Sequence, residues 1–272
     1  MKKIITLCLF ILSLNASAWN QRPPEPVQNC AVHSPYGFAQ TAIPVIPICR
    51  QAYLVAYDAP VKIPKYVAYT LTPPNAIGCI ARTNAFVADQ SLNGTGAHPN
   101  DYVGTGYDKG HAVPDGDLSW DQQVEYESFL MTNMYPQAGS LNRGIWKLLE
   151  TSVRGWAVQT NQVYTIYVGA FYGAGDKVIG NGVIVPHGYY KIVINQATGE
   201  VAGWAFPHVP PYPNLGNDLR AFRRPLPQIM QEAGVVFQFP PNAKEIQPGA
   251  EWDVDYGKLT NAKRAKCGKS AN

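Results

Sequence analysis

Asp108-Lys109-Gly110-His111 sets one imidazole behind a glycine, with a carboxylate and an ammonium just ahead of it. Downstream come Thr132-Asn133-Met134-Tyr135-Pro136-Gln137, then Leu141-Asn142-Arg143-Gly144-Ile145-Trp146-Lys147-Leu148-Leu149-Glu150, with Arg154 one helical turn later. Together these types offer a base, an amide oxygen for a hard cation, and acidic and basic side chains beside them. An imidazole of ordinary pKa about 6.5 is largely neutral near pH 7 and can accept a proton. Gly110 would let the backbone approach closely or take an unusual dihedral, aiming the His111 ring into a cleft. An amide oxygen suits Mg2+, which prefers oxygen donors and keeps several waters. The chemistry open to such a set is attack of water on a phosphodiester. That bond resists attack because its anionic oxygens repel nucleophiles and its leaving alkoxide is poor. A catalyst must bring a base, a cation and help for the leaving oxygen.

The elements that must position these groups follow from pattern. The histidine falls in an expected Gly-containing turn, with a short helix over 124–131 after it. Residues 141–156 form the best helix of the chain. Ile145, Leu148, Leu149 and Val153 share one arc, with Arg143, Lys147, Glu150 and Arg154 on the adjoining polar side. Asn142 stands where this helix begins, so its plain role is an N-cap and its chemical role a Mg2+ ligand. Glu150 and Arg154, at i and i+4, read plainly as an exposed ion pair. Their chemical roles would be contact with the cation's waters for Glu150 and with phosphate for Arg154. Strands are expected over 51–58 and 64–71, and again over 163–170, 182–186, 189–195 and 201–206. Pro225 and Pro227 interrupt a helix expected over 220–233. The order predicts an α+β fold: a single domain with a central antiparallel sheet flanked by helices.

Lys2 and Lys3, the apolar run from Ile4 to Leu14, and Ala16-Ser17-Ala18 mark 1–18 as a signal peptide. A secreted or periplasmic protein is expected, free of the membrane after cleavage, and its oligomeric state is left open. Residues 19–48 read as a Pro-rich N-terminal arm, and 49–272 as the catalytic domain with a basic tail at Lys263, Arg264, Lys266 and Lys269. The chain has 22 basic and 19 acidic residues; without Lys2 and Lys3 the balance is 20 to 19. Such near-neutrality excludes a whole-body positive field, so any attraction for a polyanion must be local. Cys8 leaves with the signal, and four cysteines in an oxidising compartment favour two disulfides. Three connectivities are open, and Cys30–Cys49 with Cys79–Cys267 is the pairing adopted here. Asp115-Gly116-Asp117 with Asp121 lacks the spacing and terminal Glu of a calcium loop. His187 and His208, each after a proline, read as structural or exposed.

The joint pattern Asp108-Lys109-Gly110-His111, Thr132-Asn133-Met134-Tyr135-Pro136-Gln137 and Leu141-Asn142-Arg143-Gly144-x-Trp146-x-x-Leu149-Glu150-x-x-x-Arg154 resembles the DNA/RNA non-specific endonuclease family, with its ββα-metal (His-Me finger) motif. Val185-Pro186-x-x-Tyr189-Tyr190-Lys191-Ile192-Val193 resembles a strand of those enzymes, and the resemblance runs from about Tyr66 to Phe206. It implies a Mg2+-dependent endonuclease, with Mn2+ or Ca2+ as substitutes, acting on DNA and RNA and leaving 5′-phosphates. It further implies His111 as general base, Asn142 as ligand of one hydrated metal, and Asn133 orienting the His111 loop or the metal's water shell. Glu150 would bind that water shell and Arg154 would stabilise the phosphate. Lys109 replaces the family's usual arginine, keeping charge but losing the bidentate fork; Lys109 and Arg143 are expected to contact substrate. Arg82 is placed as the upstream catalytic arginine. The alternatives are a nucleic-acid-binding protein of the same fold, weakened in turnover, and a phosphodiesterase for smaller phosphate esters.

Overall fold

The computed structural model describes residues 21–249 and 252–268, so the expected signal peptide lies outside the described residues. In chain order the main strands are β1 (Ile46–Cys49), β2 (Tyr53–Asp58), β3 (Ile63–Leu71), β4 (Tyr107–His111), β5 (Met134–Ala138), β6 (Tyr164–Phe171), β7 (Gly188–Asn195), β8 (Glu200–Pro207) and β9 (Lys244–Glu245). The longer helices are α1 (Gln122–Ser128), α2 (Lys147–Thr160), α3 (Leu226–Ala233) and α4 (Tyr256–Cys267). Seven strands form one sheet in the order β9-β8-β7-β6-β3-β2-β1. Neighbours are antiparallel except the short parallel pair β8–β9.

β6 and β7 are buried at every position, so the polar alternation of a one-sided sheet is missing. Both faces are covered. On one, Val55, Val67, Tyr69 and Val168 pack with Ile145, Leu149 and Val153. On the other, Leu54, Tyr66, Ala68 and Ile192 pack with Leu226 and Ile229 of α3. α3 begins at its Pro225–Pro227 segment because proline is tolerated in a first turn, where its missing N–H has no helical partner.

β4 and β5 stand apart from the large sheet as an antiparallel pair, with Gly110 opposite Tyr135 and His111 opposite Met134. A helical run follows: one turn at Gly139–Leu141, a π segment at Asn142–Trp146, then α2. Gly144 breaks helical geometry inside the π segment, with φ −99° and ψ −120°. Such bulges are frequent at functional sites because they re-aim side chains without ending the helix. This ββα unit packs on the first face of the sheet.

The stretch read as an arm contains a 3-10 helix at Val27–Val32 and runs into the edge strand β1. Cys30–Cys49 ties the two, and Cys79–Cys267 ties the end of α4 to the segment before Arg82; these are the pairings adopted from the sequence. The C-terminal segment lies along α2. Trp156 Nε1 donates to the Trp252 carbonyl at 2.9 Å, and a Cβ at Gly155 would overlap Val254. Among the described residues no helix is long and apolar enough to cross a membrane.

Candidate active site

His111 ends a strand rather than sitting in the expected turn, because β4 is hydrogen-bonded along its length to β5. Gly110 is required for space, not for its dihedral. Its φ lies outside the left-handed region, and a Cβ would overlap the buried Gln137 amide. The His111 ring packs against Phe86 and Phe129, with centroids 5.8 and 4.9 Å away. It is 7% exposed, and its Nε2 is buried without a hydrogen-bond partner. Burial first, then the Arg82 charge, pushes its pKa down to about 3. The ring is therefore neutral at any ordinary pH.

Asn133 is wholly buried behind this ring. Its Oδ1 accepts from Val113 N at 3.0 Å, and its Nδ2 donates to the carbonyls of Val113 and Ser128 at 2.9 and 2.8 Å. Both amide protons are committed to backbone, so of its two expected roles Asn133 is built for fixing the segment after His111. Next to it, Thr132 Oγ1 donates to Asp89 at 2.7 Å, and Asp89 forms a buried ion pair with Arg50 at 2.6 Å.

Asn142 is not an N-cap. Its φ of −57° and ψ of −47° lie inside the helical run, since the turn at Gly139–Leu141 starts the helix earlier than the sequence pattern does. Its Nδ2 donates to Asp108 Oδ2 at 3.0 Å. A carboxylate only accepts, so Asp108 fixes the amide's orientation and leaves Oδ1 available for a cation. Arg143 Nε lies 3.6 Å from the same Asp108 oxygen.

The expected exposed pairing of Glu150 with Arg154 is also replaced. Arg154 Nη1 donates to Asp117 Oδ1 at 2.7 Å and Nη2 to Thr151 Oγ1 at 3.1 Å. Asp117 is buried and also accepts from Tyr69 Oη at 2.8 Å. Gly116 makes room: a Cβ there would stand 2.9 Å from Nη1. Glu150 is 9% exposed, and its carboxyl is pushed up by burial, with Lys191 and then Arg154 opposing. Lys191, wholly buried on β7, holds its Nζ 4.8 Å above the Trp146 ring with no hydrogen-bond partner. Arg82 pairs with Asp115, and its Nε donates to Asn84 at 2.7 Å.

Arg82, Lys109, His111, Asn142, Arg143, Glu150 and Arg154 line one open cleft of about 330 Å3, with Asp115 and Lys147. Seven of the eight expected site residues thus meet, and Asn133 stands behind them. Five lining residues are Lys or Arg, which gives a near-neutral chain a local positive field. Lys147 was legible as a helix-face neighbour of Glu150 and Arg154. Lys191 carried the signal of a charge inside an apolar strand. Asp117 carried none, because its partner is 37 residues away.

As for a metal, no group of three or more His, Cys, Asp or Glu is placed to hold one among the described residues. That argues against a thiolate or carboxylate cage. One oriented amide oxygen in an open polar cleft fits a hard, largely hydrated cation.

Compared with known proteins, residues 31–244 match the profile of the DNA/RNA non-specific endonucleases. The chain belongs to the DNA/RNA non-specific endonuclease family. It is thereby classed with enzymes that hydrolyse nucleic acid. The match is wider than the 66–206 read from motifs: it takes in much of the Pro-rich stretch and stops short of α4. Family relatives include the mitochondrial Nuclease 1 of Schizosaccharomyces pombe, 31% identical over 68% of this chain and 64% of that protein, so the chain spans just under two thirds of that relative's length. The Serratia marcescens nuclease is 26% identical over 86% of this chain and 88% of its own, and human mitochondrial endonuclease G 27% over 69% and 68%. EndoG, solved in the EndoG/EndoGI complex, aligns with a TM-score of 0.66 over 77% of this chain and 91% of that one. At 24% identity this likeness speaks to the fold.

Proposed function

We propose that this family member is an exported or periplasmic endonuclease that hydrolyses DNA and RNA to 5′-phosphate products and depends on Mg2+, with Mn2+ or Ca2+ as substitutes. The observation that carries the reading is the meeting, in one cleft, of an unpaired neutral imidazole, an oriented amide oxygen and a braced guanidinium.

His111 takes the proton of the attacking water. Burial keeps it neutral and so competent, though weakly basic; an incoming phosphate anion raises its basicity by setting negative charge beside the ring. Asn142 would hold the cation through Oδ1, with Asp108 fixing the amide. When bound, that ion supplies positive charge against the phosphate and the leaving oxygen. Arg154 and Arg82 face the same phosphate, each held by a carboxylate, so little reorganisation is needed as charge develops. Glu150 would accept hydrogen bonds from the cation's waters, one of which would protonate the leaving 3′-oxygen. Lys109 and Arg143 grip neighbouring phosphates. Contacts of this kind read backbone and not base edges, so sequence preference is slight.

Purified mature protein is expected to degrade plasmid DNA and RNA with Mg2+, and to stop on EDTA addition or with His111→Ala. Undiminished cleavage by His111→Ala removes the base. Retention of DNA without cleavage under Mg2+, Mn2+ and Ca2+ would point instead to a binding protein.

A further inference from the structure

A second cavity, of about 290 Å3, shares Gly116 and Arg154 with the catalytic cleft, so one wall serves both. Its far side is α4, through Thr260, Lys263 and Arg264. The charged groups lining it are all cations. Arg154 is committed to Asp117, whereas Lys263 and Arg264 make no ion pair among the described residues. Two uncompensated cations lining a pocket that shares a wall with the catalytic cleft attract an anion.

They are also held in place, unlike cations on a loose tail. Cys79–Cys267 bonds the end of α4 to the segment leading to Arg82. Lys266 Nζ donates to the Pro74 carbonyl at 2.9 Å, and Tyr256 Oη meets Ser152 Oγ on α2 at 2.9 Å. Leu259 is buried against the domain. α4 lies beyond the residues that match the family profile.

We propose that Lys263 and Arg264 form an accessory subsite for a backbone phosphate of the strand whose scissile phosphate occupies the catalytic cleft. The ligand class is a polynucleotide backbone, bound without regard to base. The inference rests on the endonuclease reading and adds to it a longer footprint, so long substrates gain affinity that small phosphodiesters do not.

The test is binding of a long duplex by the full mature chain carrying His111→Ala, across 50 to 200 mM salt, with and without K263A/R264A. Each phosphate contact contributes about 0.9 to the slope of log affinity on log salt, so losing this one lowers it by about 0.9. Over that fourfold salt range the parent should lose about 3.5-fold more affinity than the double variant. Lys258→Ala, on α4 but outside the cavity, should leave the slope in place. In the active enzyme, K263A/R264A should lower the ratio of kcat/KM for long duplex to that for bis(p-nitrophenyl) phosphate. An unchanged slope and ratio overturn the subsite, as does an equal slope loss with Lys258→Ala. A wild type that cleaves while K263A/R264A changes nothing sinks this inference alone; a wild type that neither binds nor cleaves nucleic acid sinks the endonuclease reading and the subsite with it.

Discussion

Lowering the pH from 7.5 to 5.0 should cost the wild type about 2 kcal/mol of stability that the His111→Gln variant does not lose. In the fold His111 titrates at about 3, against 6.5 for the free imidazole. Between those values the unfolded chain takes a proton that the folded chain refuses. Stability therefore rises with pH across that window, and is lost as pH falls from 6.5 toward 3. The whole window of about 3.5 pH units is worth about 5 kcal/mol at about 1.36 kcal/mol per unit. By pH 5.0 about 1.5 of those units are spent, which gives the 2 kcal/mol. Glutamine keeps a polar planar end and does not titrate. Glu150, with its raised carboxyl, works with the opposite sign above its ordinary value of 4.5, but both proteins carry it and the difference cancels it. The assay is urea unfolding with disulfides intact and EDTA present, at pH 7.5, 6.5, 5.5 and 5.0, comparing the two curves by shape and not by height. Parallel curves would refute the reasoning, for they would mean that the His111 ring meets water and titrates normally.

Three further outcomes follow from the same packing. Asp117→Asn strips the half-buried Arg154 of its counter-charge and should cost about 1–3 kcal/mol, seen as a lower urea midpoint; an unmoved midpoint would contradict the pairing. Gly110→Ala drives a Cβ into the Gln137 amide and should cost about 1–3 kcal/mol, so a wild-type melting temperature would show that the close approach is not rigid. Asp108→Ala frees the Asn142 amide and should raise the Mg2+ concentration needed for half-maximal cleavage by about 10- to 100-fold; an unchanged Mg2+ titration would detach Asp108 from the metal role.

Much of this molecule was legible before any coordinates. Strands such as β3 and β6 announce themselves through β-branched and aromatic runs, and α2 through the apolar arc of Ile145, Leu149 and Val153, because those patterns are local. The cleft residues were legible too, since Asp108 to His111 and Asn142 to Arg154 are short segments whose side-chain types already name the chemistry. Their partners were not. Arg154 turns to Asp117 and not to Glu150, Asn142 to Asp108 and not to its own backbone, and Asn133 to Val113 and Ser128. Burial accounts for these choices: a charge or amide taken out of water must bond to whatever the packing sets beside it, however distant along the chain.

Composition and spacing thus sufficed for the α+β class and for a histidine, an asparagine and an arginine that meet in one cleft. Packing alone settled which carboxylate restrains which cation, how far the imidazole is withdrawn from water, and that α4 closes one side of the cleft's neighbour. Spacing acts within a few residues, whereas desolvation and counter-charge are properties of the three-dimensional surroundings, and no pattern along a chain encodes them.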